Sequence, residues 1–204
     1  RSFVISKVCI DAGHGGRDHG NENNGAAEKD VTLAIAKIAA ERIHDRLVVG
    51  AEFSAVRDQV AIEMTPEGLR IQLLESSKSS FFDSGSTTLK GESVKLLQII
   101  AAELAKQPDE VTIEGHTDSR PYSGGANYTN WELSADRANA ARRVMAAQLQ
   151  PHQLSAVRGY ADTQLRLKND PFDARNRRVS IVVRHAAPPA LPSPGVEPEA
   201  GKGH

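Results

Sequence analysis

Two oppositely charged residues, Asp118 and Arg137, have the types and the placement needed to bind a zwitterion. Asp118 follows the run VTIEGHT, and Arg137 lies in NWELSADRANAARRV, a segment that reads as a helix. A carboxylate and a guanidinium held a few ångströms apart can receive the ammonium and the carboxylate of one ligand. The same two residues could instead form a plain ion pair, which is the more common arrangement for an Asp in a turn and an Arg on a helix.

A strand, a loop and a helix must position this pair. The alternation of Val111 and Ile113 with polar residues predicts a strand that ends at Gly115. After a loop rich in Ser, Pro, Gly and Asn, Thr129 and Glu132 have the spacing of a capping box at the start of a helix. Ligands in open α/β layers bind beyond the carboxyl ends of strands, so we expect a site here. Its polar residues would be His116, Thr117 and Asp118 after the strand and Asn130, Ser134 and Arg137 on the helix.

A second candidate site lies near the amino end, where His14 stands in the glycine-rich run DAGHGG and Glu28 opens the next predicted helix. Histidine and carboxylate side chains are zinc ligands, but two of them do not complete a site. His19 could supply a third ligand. His44 could not easily do so, because it lies roughly 24 Å along the helix from Glu28 at the rise of an α-helix.

The composition excludes several classes of protein. With 25 basic against 26 acidic residues, the formal charge is -1, which offers no electrostatic footprint for nucleic acid. No run of about 18 apolar residues exists, so we expect no membrane span, and no signal peptide can be read at Arg1. The apolar fraction is sufficient for a buried core.

The periodicity of the chain predicts an α+β fold. From Ala61 the predicted order of elements is β, β, α, β, α, β, β, which implies a mixed sheet with two helices packed on one face. Before it we predict a strand at residues 3–10, a loop at 11–27 and a helix from about Asp30 to Leu47. We divide the chain into an N-terminal strand-loop-helix unit (1–47), a linker (48–58), the sheet domain (59–185) and a disordered tail (186–204) rich in Pro, Ala and Gly.

The motifs EGHTD, NWELSADRANAARRV, GYADT and NDPFDARNRRVSIVV resemble, in this order, the OmpA-like peptidoglycan-binding domain in the form carried by flagellar stator proteins of the MotB type. TPEGLRIQLLE and FFDSGS are similar to the same proteins, and the resemblance covers roughly residues 55 to 185. It implies a noncatalytic periplasmic module that binds the diaminopimelate of the peptidoglycan stem peptide. It also implies a homodimer that anchors a stator-type protein to the cell wall, and an inner-membrane anchor that this chain lacks.

The resemblance also implies roles for single residues. Asp118 and Arg137 would contact the two ends of the zwitterion, and the pocket would be shaped by Thr117, Asn130 and Leu133. Arg177 and Arg178 fall on the closing strand of the family. There Arg178 is a candidate for holding the ligand or the loop, with a structural salt bridge as the favoured alternative. We interpret His116 as a buried hydrogen-bonding scaffold residue.

Residues 6–44 resemble the start of the zinc-dependent N-acetylmuramoyl-L-alanine amidases, which implies that His14 and Glu28 are zinc ligands. The later histidine and the glutamate base of that family have no matching motif in this chain. We therefore predict no cofactor and no enzymatic activity, and interpret the segment as a structural appendage. One alternative is a zinc amidase that cuts the polymer it binds, and another is a dimerisation or docking element.

Overall fold

The computed structural model describes residues 22–50, 53–54, 56–65, 67–83, 86–122 and 127–184, with side chains from residue 36 onward. The predicted strand at residues 3–10, His14, His19 and the predicted tail lie outside the described residues. No helix in the described ranges is long and apolar enough to cross a lipid bilayer.

Five strands form one mixed sheet in the order β1-β2-β5-β3-β4, in which only β3 and β4 are parallel neighbours. The element order predicted from Ala61 and the α+β fold class are therefore confirmed. Two short 3-10 turns, at Arg57–Gln59 and Ala174–Asn176, precede β1 and β5. The bounds are α1 Glu22–Val49, β1 Val60–Thr65, β2 Gly68–Leu74, α2 Gly91–Leu104, β3 Glu110–His116, α3 Asn130–Met145, β4 Leu154–Gly159 and β5 Arg178–Arg184.

The two faces of the sheet differ in chemistry because side chains alternate along each strand. On the face covered by the helices, Ile113 of β3 lies opposite Ile181 of β5, which lies opposite Ile71 of β2. These three side chains are fully buried in the hydrophobic core. The other face carries the polar residues of the same strands. These include Thr112, Glu114, His116, Arg70, Gln72, Arg178 and Ser180.

The helix α1 differs from its prediction in extent and in packing. It begins at Glu22 rather than near Asp30, so residues 22–27 are helical rather than part of the predicted loop. Ala39, Ile43 and Leu47, spaced four residues apart, are buried in the same hydrophobic core as the sheet. The helix packs against α2 and β2, and therefore forms a third helix beside the two that were predicted on the sheet.

Candidate functional site

The start of α3 is held in place by the predicted capping box. The Thr129 N–H and hydroxyl both donate to Glu132 Oε2, at 2.7 Å and 2.6 Å, and Thr129 Oγ1 accepts from the Trp131 N–H at 3.3 Å. The bonds from Thr129 hold the pKa of the Glu132 carboxyl below its usual value. The first turn of α3 therefore has a defined direction, which fixes where Asn130, Leu133 and Arg137 point.

Two glycines on neighbouring strands let α3 approach the end of β3. Gly115 and Gly159 lie opposite each other in the β3–β4 ladder. A methyl group on Gly115 would collide with the Ser134 carbonyl, and one on Gly159 would lie 2.7 Å from the Ala135 nitrogen. Ser134 closes the contact, because its Oγ accepts from the Ala161 N–H at 3.0 Å. The carboxyl end of β3 and the first turns of α3 are thus brought into direct contact.

A cleft of about 280 Å³ lies between the end of β3 and the start of α3. Five of the residues predicted from the sequence line it together, namely Thr117, Asp118, Asn130, Leu133 and Arg137. Other residues line it that the sequence did not single out for a site. They are Glu75, Ser80, Phe82, Asp83, Arg120, Pro121, Tyr122 and Arg177.

Asp118 is held by two arginines, neither of which is Arg137. Its Oδ2 accepts from Arg177 Nη1 at 2.6 Å and from Arg120 Nη1 at 2.7 Å, and its Oδ1 accepts from the Arg120 N–H at 3.3 Å. Arg177 also donates from Nε to Glu75 Oε2 at 2.6 Å. Asp118 is only 4% exposed, so this arrangement gives a buried carboxylate two cationic partners.

Arg137 has a different environment. Its guanidinium lies over the Phe82 ring at 4.8 Å, and its Nε–H donates to the Ser86 carbonyl at 3.2 Å. Burial lowers the pKa of Arg137, which is 7% exposed, although Glu75 opposes the shift. Within the described part of the chain no carboxylate forms an ion pair with it. A buried guanidinium in these surroundings can form an ion pair with the carboxylate of a ligand.

The other lining residues complete the walls. Asn130 Nδ2 donates to the Arg120 carbonyl at 3.0 Å, which ties the loop after β3 to α3. The Thr117 N–H donates to the Ala161 carbonyl at 2.8 Å, while its buried Oγ1 has no hydrogen-bond partner among the described residues. Leu133 is buried and supplies an apolar wall. The cleft thus combines the charged groups of Asp118 and Arg137 with a buried hydroxyl and an apolar surface.

Arg178, predicted as a ligand-binding residue, does not line the cleft. It points to the polar face of the sheet, where Nη1 donates to the Asn176 carbonyl at 3.1 Å and Nη2 to the Gln164 carbonyl at 2.8 Å. It is Arg177 that reaches the cleft. Successive residues of an extended chain point to opposite sides, so only one of two adjacent arginines can reach the site. From this alternation, the sequence could have predicted that Arg177 faces the cleft if Arg178 does not.

His116 also lies on the polar face, buried and stacked on Tyr160 with ring centroids 5.3 Å apart. Among the described residues neither of its ring nitrogens has a partner at hydrogen-bond distance, although Nε2 faces Glu114 Oε2 at 3.9 Å, so the hydrogen-bonding role stays a prediction. Glu28 lies in α1, with a side chain outside the described ones, and His14 lies outside the described residues altogether. The zinc pair therefore stays a prediction.

Residues 81–178, which include both sides of the cleft, match the family model described as the OmpA family. The chain contains an OmpA-like domain. The match indicates no catalytic family. Outside the matched range, the OmpA-like domain is extended by the β1–β2 hairpin and by α1, both of which pack on it.

Sequence relatives and solved structures agree with this match. The chain is 35% identical over 180 residues to motility protein B of Escherichia coli K12, a match that covers 83% of this chain and 58% of that relative. The periplasmic domain of Helicobacter pylori MotB superposes with a TM-score of 0.54 at 25% identity, covering 63% of this chain and 83% of the other. The cell wall anchor of the type VI secretion system of Pseudomonas aeruginosa gives 0.57 at 27% identity, covering 73% and 97%. The chain therefore spans less than two thirds of the curated relative.

Proposed function

We propose that the cleft binds the stem peptide of peptidoglycan through the zwitterionic end of its diaminopimelate, and so anchors the chain to the cell wall without catalysis. One observation carries the proposal. Arg137 is buried in the cleft without a carboxylate partner among the described residues, while Asp118 presents a carboxylate in the same cleft. A ligand carboxylate would complete the surroundings of Arg137, and the ligand ammonium would contact Asp118.

The charges of the cleft suit a ligand without net charge. Its lining has the carboxylates of Glu75, Asp83 and Asp118 and the guanidinium groups of Arg120, Arg137 and Arg177, three of each sign. A zwitterion preserves this balance, whereas a ligand with a single charge does not. The apolar wall at Leu133 suits the methylene chain that joins this zwitterionic end to the rest of the stem peptide.

The similar proteins support the same function. One is named motility protein B, one is a MotB periplasmic domain and one is a cell wall anchor. We propose that this chain likewise acts in the periplasm as the wall-binding part of a flagellar-stator-type protein, and that it does so as a homodimer. An attachment of the natural protein to the inner membrane belongs to the same proposal, which for this part rests on the resemblance to stator proteins.

Co-sedimentation with purified sacculi tests the binding function. Asp118→Asn and Arg137→Gln should each lose most of the binding, because removal of one partner of a desolvated charge contact costs on the order of 2 to 5 kcal/mol. Arg143→Gln, an exposed position near the end of the same helix, is the matched control and should bind like the parent. Equal binding by all four proteins would place the site elsewhere.

For residues 1–47 we propose an amidase-like segment without catalytic function, whose helix α1 packs on the sheet domain and continues to Val49, into the predicted linker. The rival function, a zinc amidase with a wall-binding domain, requires a bound metal and a base that activates water. Zinc analysis of the purified chain and assay of stem-peptide release from sacculi distinguish the two. Tightly held zinc together with release that His14→Ala eliminates would favour the amidase.

A further inference from the structure

Arg120 occupies one of the positions on Asp118 at which a ligand ammonium can bind. Both lone-pair directions of Asp118 Oδ2 are used, one by Arg177 Nη1 at 2.6 Å and the other by Arg120 Nη1 at 2.7 Å. An ammonium can therefore reach this oxygen only if one of the two guanidinium groups leaves. The question is therefore whether a ligand ammonium displaces Arg120 or Arg177 from Asp118.

The two arginines are held very differently. The Arg177 side chain is 25% exposed and bridges Asp118 to Glu75, which is itself buried. The Arg120 side chain is 59% exposed, and its other contact in the described structure is with the ring of Phe172, 5.6 Å from the guanidinium carbon. Ion pairs with an exposed partner contribute little to stability, whereas a buried bridge is strongly held. Arg120 is therefore the group that can leave.

The release of Arg120 requires only a rotation of its side chain. Its backbone N–H donates to Asp118 Oδ1 at 3.3 Å, and its carbonyl accepts from Asn130 Nδ2 at 3.0 Å. These bonds keep the loop in place while the guanidinium moves. Phe172, itself exposed, offers an aromatic surface beside which the released guanidinium can remain.

We propose that the Arg120 side chain is a displaceable internal occupant of the ammonium position, and that a ligand ammonium competes with it for Asp118. The inference rests on the proposed stem-peptide function. When the ligand amine is free, it replaces Arg120 on Asp118. When the amine is acylated, as in a cross-linked stem, Arg120 stays and Asp118 keeps its partner. Arg120 thus gives Asp118 a second cation whether or not the ligand brings one, so neither form leaves the buried carboxylate with Arg177 alone.

Calorimetric titration with two peptides tests the proposal. The first is L-Ala-γ-D-Glu-meso-diaminopimelate, and the second is the same tripeptide with the side-chain amine acetylated. Arg120→Gln should bind the free-amine peptide about two- to fivefold more tightly than the parent, the range expected for removal of a competing exposed ion pair. It should bind the acetylated peptide equally or less tightly. Arg120→Lys retains a cation that can occupy Asp118 and should return both affinities toward the parent values.

Arg175→Gln is the matched control. Arg175 pairs with Asp173 two residues earlier at 2.8 Å, with a side chain that is 56% exposed, but it does not line the cleft. This variant should bind both peptides like the parent. Unchanged or weaker binding of the free-amine peptide by Arg120→Gln would overturn the role of Arg120 while the proposed function stands. Equal tightening for both peptides would also overturn it, and a parent that binds neither peptide would overturn the proposed function together with it.

Discussion

At the scale of single residues, buried charges lie on both faces of the sheet in the described structure. On the helix side, those of Asp118 and Arg137 belong to the cleft. On the polar face, Glu114 Oε2 lies 2.8 Å from Arg70 Nη1 and 3.9 Å from His116 Nε2. Burial raises the pKa of the Glu114 carboxyl, but His116 and Arg70 outweigh it, so the pKa lies below its usual value. His116 is therefore surrounded by charges while it makes no described hydrogen bond.

His116 should make the stability of the fold depend on pH. Burial lowers its pKa, and Arg178 and Arg70 add to the effect against the opposing influence of Glu114. The unfolded chain therefore binds more protons than the folded chain once the pH falls below about 6.5, the usual value for histidine. We expect the free energy of unfolding to fall by about 1 kcal/mol between about pH 7 and pH 5.5.

Urea unfolding over this pH range, for the parent and for His116→Gln, measures the effect. The variant should lose the pH dependence because it has no group that titrates at this position. The Glu114 carboxyl also contributes to the pH dependence of the free energy of unfolding. In the parent its lowered pKa moves this contribution to more acidic conditions than the range measured. A pH profile that is identical in the two proteins would show that His116 is not responsible.

At the scale of elements, the site depends on how closely α3 lies on the sheet. Thr117 and Asp118 come from the end of β3, whereas Asn130 and Arg137 come from α3. The separation of these two groups is determined by the contact between the glycines of β3 and β4 and the backbone of α3 at Ser134. A change at this contact should therefore affect stability and ligand binding together.

Gly115→Ala tests this contact. The added methyl group would collide with the Ser134 carbonyl, which belongs to the helix backbone and cannot rotate away. We expect a loss of about 3 kcal/mol or more in the free energy of unfolding, together with weaker binding to sacculi. Gly91→Ala is the control, because a methyl group there meets no atom within 4 Å. Similar stability of the two variants would mean that α3 can move away without cost.

The helix α1 is predicted to be an integral part of the folded domain. Ile43 is fully buried in the core, whereas Val49 on the same helix is 84% exposed. Ile43→Ala should lower the free energy of unfolding of the whole domain by about 2 to 5 kcal/mol, and Val49→Ala should change it by less than about 0.5 kcal/mol. A single thermal transition that shifts only for Ile43→Ala is the expected result. Two separate transitions, with the sheet domain unchanged, would show that α1 folds independently.

At the scale of the whole molecule, we expect the chain to form a homodimer. The expectation comes from the resemblance to paired stator subunits. Light scattering over a concentration series up to high micromolar should give twice the mass of the chain. A deletion of residues 1–47 is not a clean control, because Ile43 and Leu47 belong to the core. A monomer mass throughout the series would contradict the prediction.

Local patterns in the sequence predicted the elements and four residues of the cleft, namely Thr117, Asp118, Asn130 and Arg137. The alternation in β3 and the Thr129–Glu132 capping box act within a few residues, so they can be read without knowledge of the fold. Local patterns of this kind, taken along the whole chain, correctly predicted the order of the strands and helices after residue 60. Because Asp118 and Arg137 lie on two consecutive elements, their presence in one cleft could be predicted as well.

Only the tertiary structure decided which charges are partners. Asp118 pairs with Arg177, 59 residues away, because β5 lies between β2 and β3 and brings Arg177 and Glu75 to the end of β3. The same arrangement leaves Arg137 without a carboxylate partner among the described residues and places Arg178 on the opposite face. Which strands are neighbours in a sheet is determined by the packing of whole elements that are distant in the sequence. No pattern within a single segment of the chain encodes this order of strands.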